Sequence, residues 1–189
     1  MDYSYLQFPE NVEDNFSFLE KEYGFVIKNR EQTFVRYESN TVFINIYHGK
    51  VSTELVLEIG LIESGKTHGY DLGSLISIAN TEEGKNFQFP MTSDLEGIKK
   101  GIAELADLLK IYGKKALLAD PTTFKELQKD MDRYWAEMNA SNIRPQASAA
   151  FQKKDYKNAV KLYLSMETCL SASERKKLQY ARKKLKENI

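Results

Sequence analysis

The residues with the sharpest chemical spacing are Gly60-Leu61-Ile62-Glu63-Ser64-Gly65-Lys66-Thr67, which spell the phosphate-loop pattern of glycine, four residues, then Gly-Lys-Thr. In that pattern backbone amides cradle phosphates, the lysine reaches the β and γ phosphates, and the hydroxyl binds magnesium. A helix must open at the lysine. Here His68-Gly69-Tyr70-Asp71-Leu72-Gly73 follows, and its two extra glycines delay a helix. Ala116–Asp120 has the form of a downstream strand ending in a magnesium-binding aspartate, yet Asp120 precedes Pro121 and opens a helix. The favoured reading is a polar strand-to-helix loop, and nucleotide binding through Gly60–Thr67 stands as an alternative.

Other chemistry-bearing residues are sparse. His48, His68 and Cys169 make a three-ligand zinc cluster only if carboxylates join them. Cys169 has no histidine close in sequence and reads as a small buried hydrophobe. Glu54 and Glu58 lie four apart on a strand, hence on one face, as candidate protein-binding residues. No residue is assigned a catalytic, cofactor-binding or metal-binding role, so the chain reads as non-enzymatic and without a cofactor. The last helix sets Arg175, Lys176, Lys177, Arg182, Lys183, Lys184 and Lys186, against Glu174 and Glu187, around an apolar stripe of Leu178, Ala181 and Leu185. Such a stripe can bind nucleic acid or an anionic surface. More often such a stripe is a solvated helix face suited to its own C-terminal dipole. With no base-stacking module legible beside it, nucleic acid is disfavoured and kept as an alternative.

These residues belong to a 189-residue chain with 42% hydrophobic and 29% charged residues, an ordinary globular balance. No apolar run approaches the roughly 20 residues of a bilayer span, and the start lacks the basic and apolar segments of a secretory signal. A single cysteine forms no intramolecular disulfide, and the cytoplasm is the expected compartment. Net charge is zero but divided: residues 1–90 carry 7 Lys+Arg against 14 Asp+Glu, net −7, and residues 91–189 carry 20 against 13, net +7.

The elements that must position them follow from periodicity. Val12, Phe16, Leu19 and Tyr23 share one helical face over Glu10–Tyr23, with Gly24 as a left-handed cap. Phe25–Ile27, Thr33–Ser39, Thr41–Tyr47 and Thr53–Leu61 are rich in β-branched and aromatic residues and are joined by short turns, which predicts an antiparallel meander of about four strands. Asp71 caps a helix with Leu72, Leu75, Ile76 and Ala79, and an irregular stretch with Gly84, Phe87, Phe89 and Pro90 follows. Ser93-Asp94-Leu95-Glu96 reads as a capping box for a helix that stops at Gly113. Asp120-Pro121 opens another, with Phe124, Leu127, Met131, Tyr134, Trp135 and Met138 inward. Shorter helices over Gln146–Lys153 and Lys157–Met166 precede a last one from near Ser171 to Glu187. The fold class is α+β, with residues 1–92 as helix plus antiparallel sheet, 93–189 as a helical part, and a sub-boundary at 139–145 where Pro145 closes a polar stretch.

Two resemblances sit on these elements. Ala147, Ala150 and Phe151, followed by Asp155–Tyr163, resemble one degenerate tetratricopeptide unit, with Tyr156, Ala159 and Tyr163 at its second-helix positions. That resemblance implies a protein-docking surface at those three residues. Its first helix lacks the usual Gly and Trp-Leu positions, and Ser171 stands where proline is usual. Phe16–Phe25 and Phe34–Ser39 with the strand Thr41–Tyr47 resemble small bacterial immunity-type proteins, which neutralise a toxin by binding it. The residues that carry this resemblance are aromatic core positions and a glycine cap. The resemblance implies a protein partner, a toxin or another protein, while the short apolar runs argue against a membrane.

Overall fold

A computed structural model of the chain describes residues 7–49, 51–62 and 68–187. Its architecture is α+β: one helix, a five-stranded antiparallel sheet, then helices through the remaining described residues. Helix α1 (Phe8–Tyr23) starts with Pro9 in its first turn, where the missing N–H costs nothing, and buries Phe8, Val12, Phe16 and Leu19. Gly24 ends it at φ 69°, a left-handed conformation that costs glycine little, and the Phe25 N–H returns to the Leu19 carbonyl at 3.1 Å.

The strands are β1 (Val26–Glu31), β2 (Phe34–Glu38), β3 (Val42–His48), β4 (Leu55–Leu61) and β5 (Gly69–Asp71), paired in chain order and all antiparallel. The fifth strand was not expected, because three residues containing one glycine carry no alternation to read. It exists because Gly69 and Tyr70 pair with Gly60 and Ile59. Side chains alternate across the sheet, so Val35, Tyr37, Ile44, Ile46, Leu55, Leu57 and Ile59 form one buried face. Helix α1 packs on it together with α2 (Leu72–Ala79) and α4 (Leu95–Tyr112).

Asp71 caps α2 as expected, accepting from the Ser74 N–H at 2.7 Å. The stretch expected to be irregular holds a short helix, α3 (Thr81–Asn86), because Asn80 caps it by accepting from the Glu83 N–H. Asp94, and not Ser93, caps α4: its carboxylate accepts from the Gly97 N–H at 2.8 Å. Past Gly113 comes a single turn, α5 (Lys114–Leu117).

Helix α6 (Pro121–Gln152) replaces the two helices expected around 139–145 and runs unbroken through Pro145. Proline there removes one N–H, the one that would bond the Ser141 carbonyl. Ala140, Ala147 and Ala150, buried on both sides of it, hold the helical register. Of the stripe expected to face inward, Phe124 and Leu127 are buried, whereas Tyr134, Trp135 and Met138 are 58%, 57% and 43% exposed. The spacing persists along the helix while its packing partners do not. By packing, the chain forms two compact units, Met1–Gln128 and Lys129–Ile189. Division at residue 92 follows secondary-structure class; α4 nevertheless buries Ile98, Ile102, Leu105 and Leu109 in the first unit.

In the second unit α7 (Tyr156–Leu164), a 3-10 turn at Glu167–Cys169 and α8 (Ala172–Glu187) join the end of α6 around Ala159, Tyr163, Met166, Leu170 and Leu178. Arg144 fastens it, donating to Glu137, to Glu174 at 3.2 Å and to the Cys169 carbonyl at 2.7 Å. Arg144 holds the Glu137 carboxyl below its usual range. Burial opposes the same shift at Glu174, but hydrogen bonds from Ser171 and the Arg144 charge outweigh it. Carboxyl groups depressed by folding contribute fully above their unfolded pKa of about 4.3 and lose that contribution as pH falls from there through their lower folded pKa. Acid titration followed by circular dichroism is therefore expected to show a melting temperature that declines below about pH 4.3. Arg144→Gln should flatten that decline, and an equal decline in wild type and variant would show that other groups carry it.

Candidate functional site

The sheet has a second face. Phe34, Arg36 and Glu38 on β2, Phe43, Asn45 and Tyr47 on β3, and Val56 and Glu58 on β4 occupy the strand positions alternate to the core. Register brings them side by side, with Arg36 opposite Asn45, Asn45 opposite Glu58, and Glu58 opposite Asp71 of β5. Except for Phe43, which is buried, each of these eight residues is partly exposed.

Their polar atoms form a chain. Arg36 Nε donates to Glu38 Oε1 at 2.6 Å and Arg36 Nη1 to Asn45 Oδ1 at 3.1 Å. Asn45 Nδ2 then donates to Glu58 Oε2 at 3.3 Å, and the Tyr47 hydroxyl donates to Glu58 Oε1 at 3.0 Å. The Arg36 guanidinium lies 4.2 Å from the centroid of the Phe43 ring, a cation–π contact that holds the arginine against the sheet. Beneath that ring is Gly60, directly opposite Phe43; a Cβ there would stand 2.6 Å from the ring. Burial pushes the Tyr47 phenol well above its ordinary value, and the charges of Glu58, Asp71 and Glu54 push further. Tyr47 is thus a neutral hydrogen-bond donor at physiological pH, neither a base nor a nucleophile. What the arrangement does chemically is present two held carboxylates, Glu38 and Glu58, against one arginine, with Asp71 beside them capping α2.

Glu54 stands just before β4 and makes an isolated antiparallel bridge with Met91. Its charge adds to those of Glu58 and Asp71 in raising the Tyr47 phenol. Lys66 and Thr67 of the phosphate-loop string lie outside the described residues. Gly60 belongs to β4, and the chain enters β5 at Gly69, so a strand and not a helix follows the string. His48 is 2% exposed, with Nε2 2.8 Å from the Thr92 carbonyl and its ring stacked on Phe8. Among the described residues no group of three His, Cys, Asp or Glu could hold a metal, and no helix is long and apolar enough to cross a membrane.

The structure places Ala159 and Tyr163 in the core of the second unit, 0% and 1% exposed. Only Tyr156 of that trio keeps part of its surface, in edge contact with Phe151 and Tyr180. Sequence reasoning passed over Arg36, Asn45 and Tyr47. Their signal was present, since Phe43, Asn45 and Tyr47 are the second phase of the alternation that marks β3 as a strand. Comparison with protein-family models, with curated proteins and with solved structures returns no match to this chain.

Proposed function

We propose that this chain is a non-enzymatic protein-binding protein whose open sheet face receives a basic protein surface, in the manner of the toxin-neutralising proteins that its N-terminal region resembles. The observation that supports this most is the pre-ordered, half-buried acidic network on the side of the sheet opposite α1, α2 and α4. A partner there meets carboxylates already held in place, so little side-chain entropy is lost on binding. Phe34, Tyr47 and Val56 supply apolar area among the charges.

The test neutralises charge while keeping shape, with Glu38→Gln, Glu54→Gln and Glu58→Gln combined. Wild type and variant are compared as baits in the source cell's lysate, and any basic protein retained by wild type alone is purified and titrated calorimetrically. The expected result is a one-to-one complex weakened by about 100-fold, or ~2.7 kcal/mol, in the variant. Co-expression with wild type should suppress the partner's toxicity. Equal binding by wild type and a folded variant removes this face as the site. Heat from ATP and magnesium that disappears in Lys66→Ala would favour the nucleotide reading instead.

A further inference from the structure

Three aromatic rings from three helices meet on the second unit: Phe151 at the end of α6, Tyr156 at the start of α7 and Tyr180 on α8. Their centroids lie 5.9, 5.9 and 6.0 Å apart, and all three pairs meet edge to face at 62–70°. Two ammonium groups border them, Lys177 Nζ at 5.9 Å from the Phe151 ring and Lys184 Nζ at 5.8 Å from the Tyr180 ring. Tyr180 is 48% exposed, and Phe151 and Tyr156 are partly so. Lys177 and Lys184 are two helical turns apart, about 10 Å, with Tyr180 between them. Around this platform residues 144–187 carry 12 Lys+Arg against 4 Asp+Glu, net +8.

We propose that this face binds single-stranded nucleic acid, with unpaired bases stacking on Tyr180 and its neighbours and phosphates pairing with Lys177, Lys184 and the adjacent cations. The two halves of the platform need two different things from one ligand: flat π faces for the rings and a repeating negative charge for the lysines. A single strand carries both. A duplex buries its base faces in its own stack and offers the phosphates alone. An anionic bilayer is a poorer match, because the apolar stripe of α8 is turned inward, with Leu178 and Ala181 4% and 0% exposed, and cannot enter the lipid. An acidic peptide satisfies the lysines and leaves the rings unused.

The experiment uses the full chain and a fluorescently labelled single-stranded oligothymidylate of about 12 nucleotides, followed by anisotropy at several salt concentrations. Contacts to three or four phosphates give an expected slope of log K against log salt of roughly −2 to −3. Tyr180→Leu should weaken binding about 5- to 150-fold, with Tyr180→Phe close to wild type. Lys177→Gln with Lys184→Gln should flatten the slope by roughly 1.4. These two lysines are partly exposed, Lys184 in an ion pair with Glu187 at 2.7 Å that a phosphate would displace, so the paired variant stays informative should Tyr180→Leu fold poorly by circular dichroism. The proposal is overturned if no binding is seen at low salt, or if the folded Tyr180→Leu and paired lysine variants bind as wild type does. A duplex of equal length bound as tightly as the single strand, or displacement of the strand by anionic vesicles, would overturn it as well.

Discussion

Gly60→Val is expected to destabilise the N-terminal unit by about 3 kcal/mol, the upper end of the usual cost of overpacking, with no nucleotide present in the experiment. The first glycine of a phosphate loop serves a turn around phosphate. Here Gly60 sits inside β4, and an added Cβ would stand 2.2 Å from the His68 carbonyl oxygen and 2.6 Å from the Phe43 ring. One of those neighbours is backbone, which cannot rotate away. Relief must come from opening the β4–β5 pairing or from expelling Phe43, which is 1% exposed. Valine is otherwise favoured in strands, so propensity alone forecasts a gain and packing forecasts a loss. A urea midpoint equal to wild type would contradict the described pairing of Gly60 with Gly69. A lowered midpoint assigns this glycine to sheet packing.

Phe16→Ala is expected to cost about 3–5 kcal/mol, the usual range for emptying a fully buried aromatic site. Phe16 is 0% exposed on α1 and stacks with Phe18 at 6.0 Å. Set against total stabilities of about 5–15 kcal/mol, such a loss should lower the unfolding midpoint substantially and unfold the variant outright only at the low end of that range. Phe16→Leu should recover much of the difference by refilling volume. Urea or thermal unfolding followed by circular dichroism reads both, and a small effect for alanine would mean that α1 does not anchor the core. In the open face, Glu38→Gln and Glu58→Gln weaken hydrogen bonds to Arg36, Asn45 and Tyr47 and should lower the midpoint modestly, by about 1 kcal/mol, so their binding is compared on variants shown to be folded.

Local signals were read best where a single residue's conformation or a short period carries them. The left-handed Gly24, the Asp71 cap and the alternation of Val42, Ile44 and Ile46 against Phe43, Asn45 and Tyr47 are all matters of a few neighbouring residues. Longer-range outcomes were not legible in the same way. Whether Pro145 ends a helix depends on whether buried alanines on either side repay its missing hydrogen bond. Whether Tyr134, Trp135 and Met138 are inside depends on a partner for the stripe, and periodicity says only that a stripe exists.

For the candidate sites the same boundary holds. Sequence by itself determined the α+β class, the antiparallel pairing implied by short turns, and the acidic first half and basic second half. Each of these rests on composition, on turn length or on the two-residue period of a strand. Only the tertiary structure decided that Arg36, Asn45, Tyr47 and Glu58 form one chain of hydrogen bonds across three strands, and that Phe151, Tyr156 and Tyr180 converge from three helices. It likewise decided that the phosphate-loop string is followed by a strand, and that Ala159 and Tyr163 belong to a core. The physical reason is that a hydrogen bond or a ring contact reaches only a few ångströms. The residues that make these contacts are separated in the chain by up to 29 positions, from Phe151 to Tyr180. Strand register and helix packing bring them together, and no local propensity specifies either.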